Sequence, residues 1–269
     1  MTRLLGKVAL ITGSSSGMGR AIALRYAKEG AHVVCADISP TARPMVPEEV
    51  KITTHDAIIE AGGRAIYVQT DVGEAQQMER AVQTAVAEYG RLDILVNNAG
   101  IATEAWTPSR VHETDELVWD TILRVNTKSV FLGCKYAIAQ MLKQEPHSSG
   151  DRGWVINLGS VWGLVGALGA PAYCASKGAI VNLTRQMALD YAPDRIHVNA
   201  ICPGAIYTAM VRYLEEVSPS AIESLRQKQP FKGVGHPDDI ARMAVVLASD
   251  DASLVTGVAL PVDGGYTAH

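Results

Sequence analysis

The chain has no excess of positive charge, no long apolar run, no paired cysteines and no histidine cluster, and each absence removes a class of function. Among 269 residues, 24 Lys and Arg face 28 Asp and Glu, a net charge of −4. That balance offers no broad basic surface, so neither nucleic acid nor a membrane is expected as a partner. Apolar stretches are too short to span a bilayer; even 161–170 is broken by glycines. The opening MTRLLGKVALITG holds only a brief apolar run, shorter than a signal-peptide core, so a cytoplasmic location is expected. Cys35, Cys134, Cys174 and Cys202 lie far apart with no C-x-x-C pair, which fits reduced thiols. Seven histidines show no H-E-x-x-H or similar spacing, so no metal is expected. No internal repeat, linker or low-complexity tract divides the chain.

What is present is a globular composition, 48% hydrophobic and 19% charged, on a length that buries a substantial core. One domain over 1–269 is expected. Residues 8–11 form an apolar run ending in glycines, 21–29 read as an amphipathic helix stopped by Gly30, and 32–36 form a second apolar run ending at Asp37. That strand–turn–helix–strand unit is followed by buried-strand candidates at 65–68, 92–96, 154–158, 196–201 and 258–262, separated by helical segments. Such alternation predicts an α/β fold: a single-domain, Rossmann-like, doubly wound parallel sheet with helices on both faces. Pro40, Pro44 and Pro47 exclude a helix directly after the second strand, so a loop over 40–47 precedes a helix over about 48–60. A long connection over about 204–236 is the lid candidate.

The stretch TGSSSGMG, from Thr12 to Gly19, admits two readings. Gly13 to Gly17 fits G-x-S-x-G, a strained turn that would present Ser15 as a nucleophile. A hydrolase elbow, however, follows several strands, and this one follows the first. A Walker A loop is excluded because no Lys-Ser or Lys-Thr follows the glycines. The first strand-to-helix turn is where Gly13 permits a tight turn, Gly17 lets a pyrophosphate approach the backbone, and Gly19 lets the helix pack. Asp37, at the end of the second strand, can accept hydrogen bonds from the adenosine ribose. A 2′-phosphate at about 4 Å from it would cost ~4 kcal/mol at an effective dielectric near 20. With Ser16, Ile38 and the loop residue Arg43 nearby and no basic side chain adjoining the aspartate, NAD is the expected cofactor.

Tyr173 and Lys177, in YCASK, stand at i,i+4 on a predicted helix and so share one face. A phenol near pKa 10 is a weak base at neutral pH; lowering it by about 3 units takes roughly 4 kcal/mol, which a neighbouring ammonium and a cationic nicotinamide would supply together. With T-G-x-x-x-G-x-G at 12–19, N-N-A-G at 97–100, Ser160 upstream, Y-x-x-x-K at 173–177, Pro203-Gly204 and V-D-G-G at 262–265, the chain resembles the short-chain dehydrogenase/reductase family over essentially its full length.

The resemblance implies a catalytic set of Asn126, Ser160, Tyr173 and Lys177. Tyr173 would be the general acid/base, Lys177 would lower its pKa and bind the nicotinamide ribose, Ser160 would bond the reacting oxygen, and Asn126 would hold a relay water. It also implies that Gly13, Ser15, Ser16, Gly17, Met18, Gly19 and Asp37 line the dinucleotide, with Asp71 and Val72 beside adenine and Asn98 and Gly100 along the adenosine side. Pro203, Gly204, Ile206 and Thr208 would border the nicotinamide. From the residues alone, Asp71 and Asn98 fit strand-end turns equally well. Trp106, Val161, Trp162, Leu164, Tyr207, Met210 and Tyr213 suggest an apolar pocket, or else core or subunit packing. The expected activity is hydride transfer between NAD(H) and a secondary alcohol or ketone in a homotetramer, the last by resemblance. The alternatives are an NADPH-dependent biosynthetic ketoreductase and a non-catalytic nucleotide sensor or scaffold.

Overall fold

Seven strands form one parallel sheet in the computed structural model, which describes residues 2–42, 51–217 and 219–268. The strands are β1 (Val8–Thr12), β2 (His32–Asp37), β3 (Arg64–Gln69), β4 (Ile94–Asn97), β5 (Gly153–Leu158), β6 (Ile196–Pro203) and β7 (Ala259–Val262), in the order β3-β2-β1-β4-β5-β6-β7. The helices are α1 (Gly17–Lys28), α2 (Thr54–Glu60), α3 (Ala75–Tyr89), α4 (Glu116–Leu123), α5 (Ser129–Met141), α6 (Pro171–Tyr191), α7 (Ala209–Val217), α8 (Pro219–Lys228) and α9 (Pro237–Leu247).

Alternation along each strand sorts side chains between two cores. In β1, Ala9 and Ile11 pack with Ile22, Ala23 and Tyr26 of α1 and with Ala244 of α9. Val8 and Leu10 face the other way, onto Ala81 of α3, Ala137 of α5 and Ile180 of α6. Because both faces are covered, the central strands are continuous apolar runs, VALIT and ILVN among them, which is why they read as buried from sequence. β3 and β7, expected as buried strands, are instead the sheet edges and half-exposed, with Pro261 tolerated in β7 because an edge strand leaves one row of backbone groups unpaired.

The second predicted helix is shorter than expected. Residues 51–53 are not helical; α2 begins at Thr54, where Thr53 caps it by accepting from the Asp56 amide at 3.3 Å. The remainder of that expectation, 48–50, with Arg43, Pro44 and Pro47 of the loop, lies outside the described residues. Residues 38–42 are not helical.

The sheet positions the site through its strand order. From β1 the chain winds outward through β2 and β3, then crosses back to β4 on the other side of β1. The crevice above the carboxyl ends of β1 and β4 is therefore the switch point at which open α/β sheets bind ligands.

Candidate active site

The glycine turn is bound into that crevice by backbone and short side chains. Gly13 has φ +65°, a conformation that favours glycine, and a Cβ there would lie 2.8 Å from the Ala99 Cα. A Cβ on Gly19 would collide with the Gly13 carbonyl oxygen. Thr12 Oγ1 accepts from the amides of Asn98 (3.0 Å) and Ala99 (3.1 Å), and the Asn98 side-chain amide donates to the carbonyls of Thr12 and Gly13 at 3.0 and 3.1 Å. Asn98 thus clamps the loop to the end of β4.

Asp37 ends β2, and its carboxylate accepts from the Ser15 amide at 3.0 Å and the Ile38 amide at 2.8 Å. A fixed negative charge therefore sits against the glycine turn. Ser16 is the N-cap of α1 but makes no side-chain cap bond, and no acidic residue occupies the first turn. The helix N-terminus is thus suited to an anionic group. Asp71 is engaged differently from a bare adenine contact: its carboxylate accepts from the Arg124 guanidinium at 3.2 Å and from the Gly73 amide at 2.9 Å. Val72 is buried beside Met78 and Leu132.

Three of the catalytic candidates converge from two elements. Ser160 follows β5, Tyr173 and Lys177 stand in the first two turns of α6, and all three line one cavity of about 190 Å³. Tyr173 keeps some exposed surface, but that surface faces the cavity. Enclosure pushes its phenol up to about 12, with the hydrogen bond to the Ser160 hydroxyl acting in the opposite sense. The same burial pushes Lys177 down to about 8. Its ammonium lies 5.6 Å from the centre of the Tyr173 ring and donates to the Leu158 carbonyl at 2.8 Å. The lowering expected from sequence draws on a cationic nicotinamide together with the ammonium; in the chain by itself, enclosure holds the phenol up.

Asn126 does not line the cavity. It lies in a π turn, Arg124–Lys128, between α4 and α5, a geometry that recurs at functional sites. Its Oδ1 accepts from the Ile101 amide at 2.8 Å, while Nδ2 donates to the Ile101 carbonyl at 3.0 Å and to Ser176 Oγ at 3.1 Å. Ser176 in turn donates to the Tyr173 carbonyl at 2.8 Å. The asparagine bonds a remote loop and the catalytic helix rather than its own helix.

The remaining cavity wall is mostly apolar. Met18, Asn98, Gly100, Pro203, Gly204, Ile206 and Thr208 line it, and Trp106, Val161 and Trp162 do so too. Leu164, Tyr207 and Tyr213 do not line it, and the Met210 side chain lies outside the described residues. Tyr213 instead stacks edge-on against Trp106, ring centres 5.6 Å apart, and Tyr207 bonds Glu215 at 2.6 Å. Sequence reasoning missed Val211 and Leu214 of α7, Leu225 of α8, and Tyr266, whose hydroxyl accepts from Trp162 Nε1 at 3.2 Å. It missed Gln229, which is buried, accepts from the Ala205 amide and donates to the Gly233 carbonyl at 2.7 Å, and would collide with a Cβ on Gly204. Among the described residues, no three His, Cys, Asp or Glu side chains are placed to hold a metal ion, and no helix is long and apolar enough to cross a membrane.

A family model described as enoyl-(acyl carrier protein) reductase matches residues 13–267. The chain is 40% identical over 269 residues to 2-(S)-hydroxypropyl-CoM dehydrogenase 3 of Xanthobacter autotrophicus, covering 99% of this chain and 98% of that one. It is 38% identical over 272 residues to cyclopentanol dehydrogenase of a Comamonas species, covering all of both chains. A solved structure described as a short-chain dehydrogenase/reductase from Burkholderia xenovorans superposes with a TM-score of 0.89 at 33% identity, covering 100% and 99% of the two chains. Carveol dehydrogenase from Mycobacterium avium in complex with NAD matches at 0.88 and 28%, over the full length of both. A chain described as 2-deoxy-d-gluconate 3-dehydrogenase from Agrobacterium tumefaciens, with bound NADP, matches at 0.84 and 33%, covering 100% and 99%. The sheet order, the clamped glycine turn and the Ser160, Tyr173 and Lys177 cavity accompany likeness along the whole sequence, and the chain belongs to the short-chain dehydrogenase/reductase family.

Proposed function

We propose that the protein is an NAD-dependent oxidoreductase that interconverts a compact, uncharged secondary alcohol and its ketone. The observation that carries this reading is the convergence of Ser160, Tyr173 and Lys177 on one cavity whose remaining wall is almost wholly apolar. Bound nicotinamide would supply the redox chemistry, accepting or donating the hydride.

The residues of the chain do the rest. Ser160 and Tyr173 hold the reacting oxygen between two hydroxyls, and Tyr173 takes the alcohol proton or returns it to the carbonyl. Lys177, on the same helix face, favours the phenolate. Asn126 bonds Ile101 and Ser176, and in this reading its main chain holds a water behind Lys177. Ile101, Ala105, Trp106, Val161 and Trp162 exclude solvent and select an apolar, cyclic-sized substrate. The connection over about 204–236 acts as the lid: Tyr207 N bonds the Gly235 carbonyl at 2.8 Å and Gly235 N the Ala205 carbonyl at 2.9 Å, so the two ends are joined at the base while α7 and α8 carry cavity residues between them.

For the cofactor, Gly13, Ser15, Ser16, Gly17, Met18 and Gly19 would hold the pyrophosphate and Asp37 the adenosine ribose, with Val72, Asn98 and Gly100 farther along. Asp37 supports NAD because its charge is fixed against the turn where a 2′-phosphate would lie. Arg20 is buried, with its guanidinium on Thr54 Oγ1 at 3.0 Å. Exposed Leu117 of α4, Phe131 of α5 and Leu189 of α6 support assembly into a homotetramer. Three free cysteines buried in the core suit a cytoplasmic setting.

The test is a panel of cyclic and acyclic secondary alcohols and ketones assayed with NAD⁺, NADP⁺ and their reduced forms. Turnover of apolar secondary alcohols with NAD⁺ preferred is expected. Preference for NADP(H) overturns the role given to Asp37, and no turnover across the panel overturns the enzymatic reading.

A further inference from the structure

Glu104 is a carboxylate that nothing in the reaction just described uses, yet it is only 2% exposed. It sits in a 3₁₀ turn, Thr103–Ala105, in the loop that leaves β4. Oε1 accepts from the Ala172 amide at 3.1 Å and Oε2 from the Tyr173 amide at 2.8 Å. Both amides belong to the first turn of α6, whose own N-cap, Ala170, has no side chain able to accept them.

Three other helices here are capped locally by a side chain. Thr53 caps α2, Asp115 caps α4 and His236 caps α9, each from the N-cap position. The helix that carries Tyr173 is capped instead by a residue 69 positions earlier in the chain. Burying a carboxylate is costly unless its oxygens are bonded. A local Ser or Asp would cap the helix without that cost, so capping alone does not account for Glu104.

What Glu104 achieves, and a local cap does not, is a fixed distance between two walls of the cavity. Its neighbours Ala105 and Trp106 line the substrate side. At the other end of the same loop, Asn126 bonds both the amide and the carbonyl of Ile101. The loop is therefore pegged to the π turn at Ile101 and to the backbone of Tyr173 at Glu104. We propose that Glu104 is a positioning residue: by holding the Tyr173 amide, it sets the phenol oxygen against a substrate seated on Ala105 and Trp106. A carboxylate is suited to this because it is acceptor-only at both oxygens, whereas a glutamine would turn one donor against an amide.

The proposal rests on Tyr173 being the acid/base, and the experiment separates the two. Wild type, Tyr173→Phe, Glu104→Gln and Glu104→Asp are compared for kcat, KM, NADH affinity by fluorescence, and the solvent deuterium isotope effect on kcat. A displaced proton-transfer group costs up to about 10²-fold in rate. Glu104→Gln is therefore expected to lose that order of kcat with a larger solvent isotope effect, while KM and NADH affinity stay within about twofold. Glu104→Asp, one methylene too short to reach both amides, should fall between and carries the test if the Gln variant does not fold. Wild-type kcat and isotope effect in a folded Gln or Asp variant, even with a lowered melting temperature, overturn the proposal, as does a loss confined to KM. An active Tyr173→Phe variant would instead refute the reading of the site itself.

Discussion

The two ends of the sheet bury the same kinds of side chain and put them to opposite ends. Below the amino ends of the strands, Asp93 is fully buried and accepts from the Val8 amide at 2.9 Å and Arg91 Nε at 2.7 Å, with His147 Nε2 at 2.9 Å. Lys7 is bonded to the Ala248 carbonyl at 3.1 Å and Asp250 at 3.3 Å, and lies 3.4 Å over the Trp154 ring. There each charge is bonded within the protein. Above the carboxyl ends, Lys177 bonds the Leu158 carbonyl and, with Tyr173, lines a cavity. Buried ionisable groups become chemically useful where the fold leaves part of their bonding to an incoming molecule; saturated, they only hold the structure.

That contrast predicts losses of different kind at the two ends. The largest is at Tyr173: replacement by Phe should cut turnover by at least about 10³-fold in both directions while NADH still binds, as read by steady-state rates and fluorescence titration. Next, Lys177→Met should lower kcat/KM for alcohol oxidation by roughly 10²-fold and move the rise of its pH profile to higher pH, because the ammonium that favours the phenolate is gone. A profile that stays in place would show that Lys177 does not act on Tyr173. At the saturated end, Asp93→Ala should destabilise by about 3 kcal/mol in denaturant melts by leaving buried donors unpaired. Turnover per folded molecule should be unchanged, and a selective loss of rate would erase the distinction between the ends.

The smallest effects are in pH. For Asp93, burial alone would raise the carboxyl, but the bonds from His147, Val8 and Arg91 outweigh it and hold it below 3.8. Its contribution to stability is thus present above that pH and lost as pH falls through and below it, so wild type should lose more stability on acidification than Asp93→Ala. Lys177 has the same sense in a higher window. Its folded pKa near 8 lies under the unfolded 10.5, so the unfolded chain binds more protons in that window, and the contribution of Lys177 to stability rises with pH across it. Melts of wild type against Lys177→Met from pH 8 to 10 would measure this.

How far the sequence discloses such a molecule depends on whether a constraint is local. Central strands are legible because two-sided burial writes an apolar run; the rim is less so, since Ala65 and Val68 are buried as their letters suggest while their β3 neighbours and β7 keep exposed surface. Gly13, Gly17 and Gly19 are legible because a close backbone approach admits little else. Tyr173 and Lys177 are legible because a helix turns four residues into one face. Glu104, Gln229 and Tyr266 meet their partners across 69, 24 and 104 positions. No periodicity or spacing marks such residues, and an ordinary surface Glu or Gln looks the same in one dimension. The enclosure of Tyr173 is hidden for a related reason: neighbours can be counted along a chain, but the depth at which they lie cannot.

The π turn at Arg124–Lys128 has a consequence for the history and engineering of this scaffold. Relative to an α-helix such a turn holds an additional residue, and each residue of a helix advances the azimuth by about 100°. Excising one would give an unbroken rod from Glu116 to Met141, yet it would rotate whatever follows and take Asn126 out of register with Ile101 and Ser176. That rotation would also turn Ala137 of α5 away from the core face it shares with Val8 and Leu10, so the additional residue serves packing and site together, and loss of a single codon would forfeit both.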